Sequence, residues 1–336
     1  MKESNRRQWL GSGLVRAVGL AVFTGALPFK ASAQNFPWRP IRILVGNGAG
    51  GTTDLMARLY GVKLSQLLGT PVIVDDKPGG FQLPAVRDLL RAPPDGHTLF
   101  LGNASSLSLA PGVREDIGYA PMADFTFVAE VGSSSGVFCI NNGLPVRSMQ
   151  ELVEHSIANP GKINYGSAGV GASNHLKIEY LKARTGLRAT HIPYKSDTEI
   201  LRETMAGNTH MCLITLRAAR PIVLAGKLRA LAVTAPRSLR PLPGVPGTSE
   251  IGIKELESLE PYTYFGFVGP AGMQASVVTK LNEAMNKVSE MPDVRASMRE
   301  FFFVEPSTGT PNTFQDLNQR ELAKAVELGR HITPRK

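Results

Sequence analysis

The sequence contains only two cysteines, Cys139 and Cys212, among its 336 residues. Each stands in an apolar stretch, which favours two buried strand thiols, although an exported protein could oxidise them if their strands were neighbours. The six histidines are scattered, and no group of cysteine and histidine residues has metal-ligand spacing. The sequence therefore predicts no metal site and no cofactor.

Aromatic residues are also scarce, at 7% of the chain, and the lysines and arginines are dispersed although the net charge is +9. A nucleic-acid binder needs a basic stripe or an aromatic stacking platform, and neither is present. We therefore expect no nucleic-acid partner. A mildly positive field would instead gather anionic solutes.

The apolar stretch 17–27 is too short for a membrane span, which needs about 20 apolar residues. It follows the pair Arg6 and Arg7 and precedes the small-residue pattern Ala31-Ser32-Ala33. This arrangement predicts a signal peptide over residues 1–33, of the twin-arginine type. We expect export to the periplasm and a mature chain that does not itself span the membrane.

Two glycine-rich turns, 46–54 and 166–175, each follow a short apolar strand and open a helix. The first backbone N–H groups of such a helix are unpaired, and the positive end of the helix dipole lies behind them. The turn therefore attracts anions. Two such turns facing each other across a cleft could hold both ends of a small dicarboxylate, or one carboxylate and a polar tail.

Strand and helix patterns alternate along the chain, which predicts parallel sheets covered by helices. We predict strands at 41–45, 71–74, 98–102, 137–140, 163–165, 190–192, 210–214, 228–233 and 262–268, and helices at 54–68, 83–91, 149–158, 174–185, 198–206, 218–225, 275–291 and 314–328.

Segments 121–127 and 132–136 interrupt the alternation, as a flexible crossing between domains would. We expect a discontinuous first domain, 34–132 plus 262–336, and an inserted second domain, 133–261. Ligands of open α/β sheets bind at the carboxyl ends of the strands, which places the ligand in the cleft between the domains.

Gly46, Gly48 and Gly51 also match the dinucleotide-binding fingerprint, with Asp75 and Asp76 at the end of the next strand. An oxidoreductase is therefore the alternative function. The export signal argues against it. The Gly-x-Ser-x-Gly pattern at 132–136 is no hydrolase nucleophile, because it leads into a strand rather than a helix.

Several motifs together give the chain a family resemblance. They are 37–42 leading into Ala49-Gly50-Gly51-Thr52-Thr53-Asp54, Pro94-Asp95-Gly96-His97, 159–169, His191-Ile192-Pro193-Tyr194-Lys195, 225–234 and 265–272. With these motifs the chain resembles the Bordetella uptake gene (Bug), or TctC-type, solute receptors of tripartite tricarboxylate transporters.

The resemblance implies an α/β, two-domain periplasmic-binding-protein fold of the type II, or Venus flytrap, kind, with a hinge and an inter-domain cleft. It implies no catalytic activity. Its expected partners are a small organic carboxylate and the membrane permease subunits of a tripartite transporter. A receptor used for sensing, docked on a sensor kinase, is a further alternative.

The family holds its carboxylate chiefly by backbone amides, with no arginine required. Matching positions imply that the first anion loop comprises Ala49, Gly50, Gly51, Thr52, Thr53 and Asp54, with Asp54 turned to cap the loop. The second comprises Ser167, Ala168, Gly169 and Ser173, and Asn103 lines the same cleft.

The chain departs from the family pattern around the cleft. An acidic segment is replaced by Leu213-Ile214-Thr215, so a partner for a ligand amine is missing and amino acids are disfavoured ligands. Further departures are Gly46-Asn47-Gly48, Phe81-Gln82-Leu83, Ser196 and Tyr264. They suggest a pocket for an aromatic or apolar-tailed carboxylate.

Overall fold

The computed structural model describes residues 36–259 and 262–332, and the predicted signal peptide, 1–33, lies outside them. Two sheets form the frame of the described chain, and both are mixed rather than purely parallel. Within the described residues, no helix has the length and apolar content needed to cross a membrane.

The first sheet has six strands, in the order β11-β4-β10-β3-β1-β2. Its parallel part, β1 with β2 and β3, is built from the amino-terminal strands. From the far end of the chain, β10 pairs antiparallel with β3 and β4, and β11 pairs antiparallel with β4. The strands are β1 (Ile41–Val45), β2 (Val72–Asp76), β3 (Thr98–Asn103), β4 (Phe125–Ser134), β10 (Thr263–Pro270) and β11 (Val304–Pro306).

The second sheet has five strands, in the order β7-β6-β8-β5-β9. Strand β6 lies parallel to β7 and β8, whereas β5 pairs antiparallel with β8 and β9. The strands are β5 (Gly136–Ile140), β6 (Asn164–Ser167), β7 (Thr190–Pro193), β8 (Met211–Thr215) and β9 (Arg229–Val233). Only Ser135 separates β5 from β4 of the first sheet.

Helices cover both sheets and pack through four apolar clusters. The first-sheet helices are α1 (Thr52–Leu68), α2 (Leu83–Leu90), α3 (Ala110–Val113), α4 (Pro121–Asp124), α9 (Ala275–Glu290), α10 (Pro292–Ser297) and α11 (Pro311–Ile332). The second-sheet helices are α5 (Met149–Ala158), α6 (Ser173–Thr185), α7 (Asp197–Ala206) and α8 (Leu216–Leu224).

Local sequence explains where several helices begin and end. At α5 the Ser148 hydroxyl accepts the Glu151 N–H, and at α7 the Ser196 hydroxyl accepts the Glu199 N–H, which satisfies a donor that the helix leaves unpaired. Helix α1 ends at Gly69, whose φ of 67° suits glycine.

The segment 132–136, predicted as a flexible crossing, forms the end of β4 and the start of β5, and the chain passes from the first sheet to the second at Ser135 alone. Gly132 stands there for a packing reason: a Cβ would lie 2.6 Å from the Glu305 carbonyl oxygen of β11. Strand β4 is therefore a central strand of the first sheet, and β11, which the sequence did not predict, is its neighbour.

Candidate functional site

A cavity of about 690 Å³ is lined by chain segments at the ends of strands from both sheets. The starts of four helices, α1, α6, α7 and α8, contribute to its wall. The lining residues are Gly46–Thr53, Pro78–Gln82, Asn103, Ser105, Ala168, Ala172, Ser173, Asn174, Lys195–Thr198, Thr215, Arg217, Ala218, Tyr262, Thr263 and Phe265.

Most of the predicted site residues line this cavity: Ala49, Gly50, Gly51, Thr52, Thr53, Asn103, Ala168 and Ser173. The other three, Asp54, Ser167 and Gly169, are not part of its lining. Both glycine-rich turns thus reach one cavity, although not every residue of each turn faces it.

Asp54 lies behind the first loop and is 2% exposed. One carboxylate oxygen accepts the Gly50 N–H at 2.8 Å, and the other lies 2.7 Å from Nε of Arg58. The same guanidinium contacts Asp76 at 2.6 Å. Asp54 therefore fixes the loop from behind, and Gly50, at φ 78°, takes the left-handed turn that this contact requires.

The start of α1 offers free main-chain donors to the cavity. Gly51 is the N-cap residue and provides no side-chain cap. None of the hydrogen bonds found in the described chain uses the N–H of Thr52 or Thr53. Both residues line the cavity, so their amides are available to an anion.

The second loop differs, because its own side chains occupy most of its amides. The Ala168 N–H donates to Asn174 Oδ1 at 3.1 Å, and the Gly169 N–H donates to Ser167 Oγ at 3.1 Å. The Ser173 N–H donates to Ser105 Oγ at 3.3 Å, which joins the start of α6 to the first-sheet side. In this structure Ala168 and Gly169 shape the loop, and they do not present free donors.

Two histidines pack behind the second loop. Ser167 Oγ lies 2.5 Å from His191 Nε2, and the His175 and His191 rings have centroids 4.3 Å apart. Burial, and then the charge of His191, lowers the pKa of His175 to about 4, and burial lowers the pKa of His191. Ser167 is 0% exposed, so this serine–histidine pair supports the loop and cannot reach a substrate.

The sequence missed the charged side chains of the second-sheet wall. Lys195 and Asp197 lie at the start of α7, and Arg217 lies in the first turn of α8. Desolvation in the cleft raises the pKa of Asp197 to about 6. The signal that could have found these residues is their position directly after strands β7 and β8.

Phe81 covers part of the cavity in a strained conformation. Its φ is 54° and that of Gln82 is 65°, a region that costs a non-glycine residue about 1–3 kcal/mol. The guanidinium carbon of Arg114 lies 4.9 Å from the centre of the Phe81 ring. Tyr264, in contrast, is buried and bonds Ser108 and Asn318, so its substitution alters the core and not the cavity.

The acidic residues of the dinucleotide fingerprint are engaged elsewhere. Asp76 pairs with Arg58, and Asp75 lies 3.3 Å from Arg42. Burial, followed by the charge of Asp54, raises the pKa of Asp76, and Arg58 opposes that rise. Neither carboxylate lines the cavity, where a ribose would need it. In the described residues no group of three or more acidic, histidine or cysteine side chains could hold a metal.

Comparison with known proteins gives consistent matches over most of the chain. The model of the tripartite tricarboxylate transporter family receptor, TctC, matches residues 56–333. The UPF0065 protein in the gbd 5' region of Cupriavidus necator is 34% identical over 297 residues, which is 88% of this chain and 88% of that protein.

Two solved structures are similar at comparable identity. One, described as a periplasmic transporter, is 30% identical with a TM-score of 0.76, covering 87% of this chain and 97% of that chain. The other, R. palustris Rpa4515 with adipate, is 29% identical with a TM-score of 0.76, covering 88% of this chain and 98% of that chain.

Proposed function

The chain belongs to the TctC family of tripartite tricarboxylate transporter receptors, and on that premise we propose that it binds a small organic carboxylate in its cleft and delivers it to membrane subunits of such a transporter. The fold is the two-domain α/β fold of periplasmic solute-binding proteins. The ligand and the delivery step are the parts proposed here.

One observation carries the proposal: several helix starts converge on one cavity, and at α1 the amides of Thr52 and Thr53 are unused. Helices α1, α6 and α8 begin there, and none has a cap from its own N-cap side chain. Each hydrogen bond to a charged group contributes about 1.5–3 kcal/mol. Micromolar binding needs only about 8 kcal/mol, so a few such bonds with some apolar contact suffice.

Two further features support a carboxylate. Arg217 and Lys195 add positive charge to the wall, beyond the main-chain donors that the sequence predicted. Rpa4515, whose structure contains adipate, has a similar fold at 29% identity. Phe81, Tyr262 and Phe265 provide aromatic surface for the remainder of the ligand.

We propose the domain boundaries 34–132 plus 262–336 for one domain and 133–261 for the other, with export to the periplasm. The division of strands between the two sheets supports these boundaries to within two residues, because β4 of the first sheet continues to Ser134. The similarity to a periplasmic transporter supports the location. Closure of the two domains would bury the carboxylate in the cleft.

The proposal can be tested by removing a single amide. Thr52→Pro deletes the N–H at the first position of α1, where proline fits a helix. The preceding residue, Gly51, has φ −70° and ψ 163°, as proline requires. A matched control is Ala275→Pro at the first position of α9, after Gln274 with φ −63° and ψ 137° and outside the cavity.

Titration calorimetry with C4 to C6 dicarboxylates and their ω-amino and ω-hydroxy analogues should show binding by the wild type. We expect Thr52→Pro to weaken it by about tenfold to a hundredfold, the loss of one charge-assisted bond. Ala275→Pro should leave it unchanged. Stabilisation by nicotinamide dinucleotides with no response to any carboxylate would instead support the oxidoreductase.

A further inference from the structure

Among the described residues that line the cavity, Asp197 is the only acidic one. It occupies the first position of α7, directly after the N-cap residue Ser196. In the described chain its carboxylate forms no hydrogen bond or ion pair with another residue. The cleft therefore contains a carboxylate that the protein itself leaves unpartnered.

Positive charge on the same wall does not neutralise it. Lys195 and Arg217 line the cavity, yet neither forms an ion pair with Asp197 in the described chain. Desolvation alone accounts for its raised pKa, with no contribution from a cation. The charge of Asp197 instead acts on Tyr262, where, after burial, it raises the pKa of the phenol. The Asp197 carboxylate therefore acts on the Tyr262 phenol, and it forms no ion pair with a cation of the described wall.

A carboxylate without a partner is electrostatically unfavourable for an anionic ligand in the same cavity. It repels a second carboxylate on the ligand, and it gains a charge-assisted hydrogen bond from an amine or a hydroxyl. An apolar tail against it would leave it desolvated without a partner. The sequence predicted that no acidic group would meet a ligand amine, but Asp197 reaches the cavity from the end of β7.

We propose that Asp197 selects carboxylates that carry a second, hydrogen-bond-donating group, a protonated amine or a hydroxyl. This inference rests on the proposed function, because the first carboxylate of the ligand is held by the helix starts. Asp197 is then a specificity-determining residue for the second group.

The test compares ligands of equal length. Titration calorimetry at pH 7.5 would use the dicarboxylate, the ω-amino carboxylate, the ω-hydroxy carboxylate and the simple monocarboxylate of four, five and six carbons. We expect the best amino or hydroxy compound to bind at least tenfold more tightly than the dicarboxylate and the monocarboxylate of its length. Asp197→Asn and Asp197→Ala should reduce that preference to less than threefold.

Asp293→Asn provides a matched control, since it also removes one negative charge, from an exposed residue that pairs with Lys63 outside the cavity. It should keep the wild-type preference. Tighter binding of a dicarboxylate or a monocarboxylate by the wild type, or an undiminished preference in both folded Asp197 variants, would overturn the inference while leaving a carboxylate receptor. If no carboxylate binds at all, the proposed function fails with it.

Discussion

Gly169 of the second loop faces the ring of Phe81 from the first-sheet side: a Cβ at Gly169 would lie 3.4 Å from Phe81 Cζ. Its φ of 104° already restricts the position to glycine. The second loop and the Phe81 segment therefore approach each other at a residue that has no side chain.

Gly169→Ala should lower both stability and ligand affinity. Adding a Cβ at positive φ costs about 1 kcal/mol, and this Cβ also meets Phe81. Gly118→Ala is the control, because Gly118 has φ 79° and open space around it, so a Cβ there meets no neighbour. Urea unfolding should show similar losses for both variants, and calorimetry with the best-binding carboxylate should show weaker binding for Gly169→Ala alone. Equal affinities would contradict this account of the second loop.

Asp54→Ala should loosen the first loop. The change leaves the Gly50 N–H without its acceptor and breaks the contact with Arg58, which predicts a loss of about 1–3 kcal/mol in the free energy of unfolding. Glu305→Ala, at an exposed pair with Arg299 outside the cavity, should cost less than about 0.5 kcal/mol. Affinity should fall only for Asp54→Ala. An Asp54→Ala variant that binds as tightly as the wild type would show that the loop does not need this support.

Stability should decline with acidity through His175. Its pKa is lowered to about 4, so below pH 6.5 the unfolded chain binds a proton that the folded chain excludes. The contribution is present above pH 6.5 and is lost as the pH falls toward 4, by up to about 3 kcal/mol. Urea unfolding at pH 7.5 and pH 4.5 should show a smaller loss for His175→Gln than for the wild type.

Asp197 titrates in the opposite sense, because its raised pKa makes the folded state bind the extra proton between about pH 4 and 6. Asp197 is present in both the wild type and His175→Gln, so its contribution cancels when the two losses of stability are compared. Equal losses for His175→Gln and the wild type would rule out the histidine contribution.

Tyr264→Phe should destabilise the core without changing affinity. The hydroxyl lies 2.6 Å from Ser108 Oγ and donates to Asn318 Oδ1 at 2.9 Å, and all three residues are buried. The substitution would leave Ser108 and Asn318 without this hydrogen-bond partner in the core, which should lower the free energy of unfolding by about 1–3 kcal/mol. Tyr180→Phe, at a half-buried residue, is the control, and it should change the free energy of unfolding by less than about 0.5 kcal/mol. An effect of Tyr264→Phe on carboxylate binding would argue that the residue belongs to the site after all.

Cys139 and Cys212 should remain thiols in the folded protein. They stand opposite each other on β5 and β8, and both are buried. The Asn141 N–H donates to the His210 carbonyl, and hydrogen-bonded pairs recur every second residue of an antiparallel ladder. Cys139 and Cys212 are therefore also a hydrogen-bonded pair, in which opposite Cβ atoms lie about 5.5 Å apart. A disulfide needs about 3.5–4.5 Å. Alkylation without reductant should label neither thiol in the native state and both after unfolding.

The sequence predicted the elements whose apolar runs are bounded by glycine or proline, such as β1 and α1, because hydrophobic pattern and turn chemistry are local. Strand β4 was missed because Gly132 and the serines after it resemble a linker. The reason for Gly132 is the close approach of Glu305, which is known only once β11 is in place. At three residues, β11 is too short for periodicity to reveal it.

In the candidate site, likewise, the sequence predicted the parts that local signals mark and missed the parts that the strand order brings together. Gly50 and Gly51 indicated the first loop because glycine turns before helices are local signals. Asp197 and Arg217 were missed because their approach depends on the strand order β7-β6-β8, which brings the ends of three strands side by side. Which amides of the second loop are free depended on side chains such as Asn174, whose direction no pattern indicates.

The single residue between β4 and β5 has a mechanical consequence. The Ser135 carbonyl accepts the Leu216 N–H at 3.0 Å, so the link between the sheets is tied to the first residue of α8. In the proposed closure of the two domains, a torsional change at Ser135 would therefore also move the helix that carries Arg217. The position of the guanidinium relative to a bound anion would then depend on the angle between the two sheets.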